Sequence, residues 1–181
     1  MDTQVLRQYA KLRKLPKFIK LGSISDDICK TFIDISKPLS ITNDRNIQMR
    51  KEFGLVYEDS KSPLGKVYDS RHIDNLNVSS VKCINKFTEK FNWRFGKLKP
   101  HSKIPEHLDP ANSYRFLIIL SGYCYFISED DSIELISGDV YYVNSAYKHK
   151  VINGEYERLA LLGEMKINDN NTELLRTKSR R

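Results

Sequence analysis

Seven short segments rich in β-branched and aromatic residues follow one another between Asn92 and Lys166: Trp93–Leu98, Tyr114–Leu120, Tyr123–Ser128, Ile133–Ile136, Val140–Val143, His149–Ile152 and Arg158–Lys166. Turn-forming residues separate them at Ser121-Gly122, Glu129-Asp130-Asp131, Ser137-Gly138 and Asn153-Gly154. Segments this short cannot bury an apolar face alone, and their even spacing predicts a β-sandwich or barrel. Nothing repeats at a fixed period, which excludes solenoids.

The chain upstream reads differently. Thr3 to Leu15 has Val5, Leu6, Tyr9 and Leu12 near helical spacing, and Pro16 stops the helix. Lys17–Ile24 reads as a short strand. Ser25-Asp26-Asp27 caps a helix through about Ser36, with Ile28, Phe32 and Ile35 on one stripe. Residues 37–73, punctuated by Pro38, Gly54, Pro63 and Gly65, read as loops with one or two short strands. Asn77 or Ser79 caps a predicted helix to about Lys90, with Val81, Ile84 and Phe87 facing the core. Helices ahead of a run of strands predict an α+β, mainly β fold with the helices packed on one side. The expected organisation is one domain: a basic segment 1–20, a mixed support region 21–91, a β core 92–166 and a polar, basic tail 167–181.

Net charge is +7, but it is unevenly placed. Residues 1–20 carry a net +5 and residues 174–181 a net +4, leaving −2 on the 153 residues between them. Nucleic acid is therefore a partner only through basic ends, not through a basic body. Both ends read as separable from the core, with Val5, Tyr9 and Leu12 as the residues that would tie the first of them to it. The longest clean apolar run is the five residues Phe116–Leu120, too short to span a bilayer. The N-terminus has no apolar signal stretch. Three widely spaced cysteines, Cys29, Cys83 and Cys124, form neither a zinc pattern nor a disulfide framework. A cytoplasmic protein is the expectation.

The chemistry concentrates at two histidines. In an extended segment, residues two apart share a side, so His107 and Asp109 present an imidazole nitrogen and a carboxylate to one point. His149 follows 42 residues later in the alternating strand His149-Lys150-Val151-Ile152-Asn153. Two histidines and one carboxylate make a facial triad that leaves half an octahedron open, which suits Fe(II) and not a closed zinc site. Arg115 and Arg158 each follow a candidate ligand by eight or nine positions, and each begins an apolar strand. An arginine buried there needs an anion, and its planar fork suits a carboxylate. The anion is either a ligand chelated at the metal or a structural acid such as Glu106, Asp139 or Glu164.

The stretch His107-Leu108-Asp109-Pro110-Ala111-Asn112-Ser113-Tyr114-Arg115, followed by Gly138-Asp139, His149, Asn153 and Arg158, resembles the aspartyl/asparaginyl β-hydroxylases of the Fe(II)/2-oxoglutarate-dependent oxygenase superfamily. The resemblance covers roughly residues 92–166. It implies a double-stranded β-helix, or jelly roll, with His107, Asp109 and His149 as metal ligands. Arg158 would hold the distal carboxylate of 2-oxoglutarate, Arg115 would lie near the metal-bound carboxylate, and Asn153 would orient. The implied activity is a hydroxylase that uses Fe(II), 2-oxoglutarate and dioxygen on an amino acid or a protein Asp/Asn-type side chain.

An alternative is a cupin that binds metal or a small molecule without oxygenase activity. Gly138-Asp139, His149 and Asn153 approximate the second cupin motif, with Asn144 in place of its proline. The first cupin motif is absent, and His107-Leu108-Asp109 stands in its place. His72 and His101 are not expected to be ligands.

Overall fold

The structure, a computed structural model, describes residues 3–39, 68–87, 90–109 and 113–178. The loops and short strands expected over 40–67, the end of the helix predicted to Lys90, Pro110–Asn112 of the family-like stretch and the last three residues lie outside the described residues, as does the side chain of Val5.

Among the described residues, three helices and ten strands follow in chain order. They are α1 (Thr3–Leu12), β1 (Phe18–Ser23), α2 (Asp26–Ser36), β2 (Tyr68–Ile73), β3 (Phe91–Leu98), β4 (Lys103–His107), β5 (Ser113–Ser121), β6 (Tyr123–Ser128), β7 (Asp131–Ile136), β8 (Asp139–Val143), β9 (His149–Asn153), β10 (Arg158–Lys166) and α3 (Asp169–Lys178). The strands form two antiparallel sheets. One has the order β1-β8-β5-β10-β3-β2 and the other β4-β9-β6-β7. From β3 onward, apart from the β6–β7 hairpin, consecutive strands cross between the sheets, which makes the β core a jelly-roll sandwich.

Strand alternation sorts the core into two layers. Trp93, Phe95, Phe116, Ile118, Tyr142, Leu161 and Met165 point outward from the six-stranded sheet, where Leu12, Cys29, Phe32, Val81 and Ile84 cover them. The opposite parity, with Leu98, Leu117, Ile119, Tyr141, Val143 and Ala160, faces Cys124, Phe126, Leu135 and Val151 of the four-stranded sheet. The helical side thus covers one face of the sandwich, as the order of elements predicts.

Positive φ at Gly122 (71°) and Gly138 (85°) explains why glycine ends these two turns. A Cβ at Gly122 would also stand 2.8 Å from the Glu157 carbonyl oxygen.

Several elements differ from expectation. Residues 78–87 form successive turns, not an α-helix, with Val81, Ile84 and Phe87 donating their amides to carbonyls three residues back. Their period of three fits these turns, so the same residues still reach the core. Residues 169–178, read as polar tail, form α3, anchored by buried Leu175, Asn171 and Thr172. Strands β1 and β2 extend the sheet beyond 92–166, and β4 is a strand that the turn pattern did not mark. Among the described residues no helix is long and apolar enough to cross a membrane.

The basic N-terminal segment is folded onto acids of the body. Lys11 pairs with Asp169, Lys17 with Glu129 and Asp131, and Lys20 with Asp139. The last of these fixes β1 to the start of β8. The Asp139 carboxylate accepts from Lys20 Nζ at 2.7 Å, Ser23 Oγ at 2.6 Å and Tyr141 OH at 2.9 Å. Burial alone would raise its pKa, but these three donors together hold it below the ordinary carboxylate range.

The folded pKa is therefore depressed, and protons favour the unfolded chain. The stability this gives is fully present above about pH 5, begins to fall near the unfolded value of about 3.9 and is lost as pH drops through the lower folded value. Asp139→Asn should cost about 1.5–3 kcal/mol at neutral pH, the worth of hydrogen bonds to a charged group. It should also flatten the acid limb of the stability curve, measured by urea denaturation between pH 3 and 7.

Candidate metal centre

β4 and β9 are hydrogen-bonded neighbours, and their register sets His107 directly opposite His149. The two rings lie 4.3 Å apart, centroid to centroid. Asp109 follows the end of β4. Its Oδ1 stands 3.7 Å from His107 Nε2 and its Oδ2 3.5 Å from His149 Nε2. Ligand atoms of the three residues all lie within 4.8 Å of one another. These are the three residues that the sequence pattern singled out, and the fold brings them together. His72, on β2, pairs instead with Asp74, and His101 occupies a turn with φ 54°.

The histidines are oriented for ligation. His107 Nδ1 lies 2.8 Å from the Pro105 carbonyl oxygen and His149 Nδ1 2.9 Å from that of Tyr147. A carbonyl can only accept, so each Nδ1 donates to it, and each Nε2 is turned towards Asp109. Phe126 stacks on the His149 ring at 5.0 Å and holds its plane.

Charges from the facing sheet complete the site. Arg115 Nη1 donates to Asp109 Oδ2 at 3.0 Å and lies 3.4 Å from Glu164 Oε1, which also meets Arg94 Nη2 at 3.3 Å. Asp109 is 5% exposed. Burial alone would push its carboxyl up, yet Arg115 and the two histidines hold it well below the usual carboxylate range. Glu164 is held low by Arg115 against its own burial, with help from Arg94.

A cleft of about 690 Å³, counting its open mouth, lies between the sheets. The trio, the three arginines Arg94, Arg115 and Arg158, and Glu164 line it, with Leu117, Phe126, Val143 and Leu162 among its apolar walls.

Arg158 is 3% exposed. Its Nη1 donates to Cys124 Sγ at 3.1 Å, and its Nε has no hydrogen-bond partner. It lines the cleft, and no carboxylate among the described residues pairs with it.

Two of the expected co-substrate residues already carry protein partners. Arg115, expected beside a co-substrate carboxylate, is taken up by Asp109 and Glu164. The reason is register: β5 and β10 set Arg115 opposite Glu164, and both point inward. Asn153, expected to orient, lies outside the cleft lining. Its Nδ2 donates to the carbonyls of Lys99 and Tyr156, both at 2.9 Å, and of Leu98 at 3.4 Å. It braces the turns that close the sandwich.

Arg94 was missed, and Glu164 was named only as one of three acids that could pair with an arginine. Parity along β10 was a usable signal, since Arg158, Ala160, Leu162 and Glu164 share a face. Cys124, as the partner of Arg158, left no signal in the sequence. Glu164→Gln would leave Arg94 and Arg115 with one fewer counter-charge between them. It should destabilise the metal-free protein by about 1.5–3 kcal/mol in urea denaturation, the scale of hydrogen bonds to charged groups.

Residues 94–162 match the cupin domain family. No curated protein sequence matches the chain. Among solved structures, an oxidoreductase of the 2OG-Fe(II) oxygenase family from Burkholderia pseudomallei superposes with a TM-score of 0.54 at 13% identity, over 90% of this chain and 89% of that one. A predicted oxalate decarboxylase from Thermotoga maritima gives 0.41 at 21% identity, over 55% and 81%. An RmlC-like cupin protein from Desulfovibrio desulfuricans gives 0.42 at 14% identity, over 61% and 92%. The chain is thus similar to cupins over the segment that holds His107, Asp109 and His149, and it carries them on a jelly-roll β-sandwich.

Proposed function

We propose that the protein is an Fe(II)- and 2-oxoglutarate-dependent dioxygenase that hydroxylates an amino acid or a protein side chain of the Asp/Asn type. The donor set fits the metal: two imidazole nitrogens and one carboxylate oxygen, with Nδ1 protons already committed to backbone carbonyls. The observation that carries the reading is Arg158, a buried guanidinium on the wall of the same cleft with a thiol as its hydrogen-bond acceptor and no paired carboxylate among the described residues. A buried cation in that state favours an anion, and a carboxylate matches its fork.

In this reading His107, Asp109 and His149 hold the metal, and Arg158 holds the far carboxylate of 2-oxoglutarate. The chemistry supplied when the group is bound is oxidative, converting a substrate C–H bond to C–OH at the expense of 2-oxoglutarate and dioxygen. The chain's own residues position and exclude. Leu117, Phe126, Val143 and Leu162 keep the cleft dry, and Arg115 keeps Asp109 ionised and aimed. The cupin match over 94–162 favours a second reading, a cupin that binds metal or a small molecule without oxygenase activity.

Anaerobic titration with Fe(II) and 2-oxoglutarate, followed through the weak visible charge-transfer band and then by succinate release in air, separates the two. The dioxygenase gives both signals. Metal binding with neither signal leaves the cupin. His107→Ala or His149→Ala should abolish Fe(II) binding and leave the fold largely intact by circular dichroism. Arg158→Lys keeps the charge but loses the fork, and should weaken 2-oxoglutarate binding by about 1.5–3 kcal/mol with Fe(II) affinity barely changed.

A further inference from the structure

We infer that Tyr9, on the N-terminal helix, is a positioning residue of the metal centre, and that α1 and the turn after it form a brace across the segments that carry Asp109 and His149. The inference rests on the metal-centre part of the proposed function and does not depend on the reaction catalysed there.

Tyr9 OH donates to the backbone carbonyl of Asp109 at 2.7 Å, a contact between residues 100 positions apart. Asp109 lies just beyond β4, whose pairing with β9 ends at His107. The strand ladder that fixes His107 therefore does not reach Asp109, and the tyrosine hydroxyl supplies a backbone anchor there. Arg115 holds the side chain of the same residue, so Asp109 is gripped at both its carboxylate and its main chain.

The other end of the brace reaches His149. Tyr147 supplies the carbonyl that accepts from His149 Nδ1, and its own hydroxyl donates to the Arg13 carbonyl at 2.7 Å. Arg13 Nε lies 3.4 Å from the Ala146 carbonyl, and its guanidinium stands 5.7 Å from the centroid of the Tyr147 ring. Asn144 Nδ2 donates to the carbonyls of Leu12 at 2.8 Å, Pro16 at 3.2 Å and Leu15 at 3.3 Å, and its backbone amide donates to the Lys17 carbonyl at 2.8 Å. Leu12 and Leu15 are buried in the outer core layer, which ties the brace to the six-stranded sheet. A segment that the charge pattern marked as a separable basic arm thus touches the supports of two of the three candidate ligands.

Groups that fix the orientation of metal ligands typically change metal affinity by 10- to 100-fold when removed. Tyr9 acts on the main chain of a ligand, so the low end, about tenfold, is expected. The test is Co(II) binding to the full-length protein by calorimetry, together with the visible d–d spectrum of the Co(II) form. Tyr9→Phe keeps the ring and its packing. It should weaken Co(II) binding about tenfold and shift the d–d bands, while the melting temperature of the metal-free protein changes little.

Tyr114→Phe is the control. Its hydroxyl bonds Asn168 and Thr172 near α3, so its loss should lower the melting temperature and leave Co(II) affinity and spectrum as in the wild type. Unchanged affinity and spectrum in Tyr9→Phe overturn the inference alone. Equal weakening by Tyr114→Phe overturns it too, because the effect is then general loss of stability. A wild-type protein that takes up no Co(II) overturns the metal centre itself, and the inference with it.

Discussion

Asp109 and Arg115 meet at 3.0 Å inside the sandwich, and neither would be stable there alone. A carboxylate removed from water is driven towards its neutral form, and a guanidinium cannot shed its charge. Together they allow two charges between two apolar sheets. Glu164 and Arg94 extend the pair into an alternating row, so that each charge has an opposite neighbour. Such a row adds little to stability relative to well-packed apolar residues. Its effect is geometric. It places an ionised carboxylate oxygen 3.5 Å from His149 Nε2, the ring nitrogen that is not committed to a backbone carbonyl.

The layering makes this arrangement tolerable. The outer face of the six-stranded sheet is occupied by a large apolar core shared with the helices and the 78–87 turns. That layer supplies most of the burial that stabilises the fold. The inner layer can then give up part of its apolar area at one end to polar groups. At the other end Leu98, Ile119, Leu135 and Ala160 still pack the sheets together. The site thus sits between the two sheets, with its histidines on one and Arg94, Arg115 and Glu164 on the other.

Much of this was legible in the sequence because strands obey a period of two. Alternation placed His149, Val151 and Asn153 on one face, and Arg158, Ala160 and Leu162 on another. The spacing His107-Leu108-Asp109 identified the carboxylate partner. What stayed hidden depended on contacts between strands far apart in sequence. Glu164 meets Arg115 only because β10 pairs with β5, and no local pattern encodes that register. Asn153 sits at a ligand-like position, yet its amide is spent on carbonyls of the turn after β3 and of the β9–β10 connection. The helix expected after Asn77 failed because a stripe at every third residue serves repeated tight turns as well as it serves a helix. The basic N-terminus misled for a different reason. Charge counts ignore where acids of the body lie, and Lys11, Lys17 and Lys20 each fold back onto one.

Charge balance in the cleft ties the metal trio to Arg158. Its lining carries three arginines against Asp109 and Glu164. Arg94 and Arg115 are matched by those two acids, which leaves Arg158 as the excess positive charge. A divalent cation at the trio would raise that excess further, and the low dielectric between the sheets would make the cost felt across the whole cleft. A dicarboxylate that reaches both the metal and Arg158 relieves the two demands at once. Each partner then binds more tightly in the presence of the other, and by linkage the enhancement is the same in both directions. A monocarboxylate held at the metal alone would leave Arg158 with only the Cys124 thiol. In the proposed reading, the unmatched arginine would select for an anion with two carboxylates through its place on the wall of the same cleft.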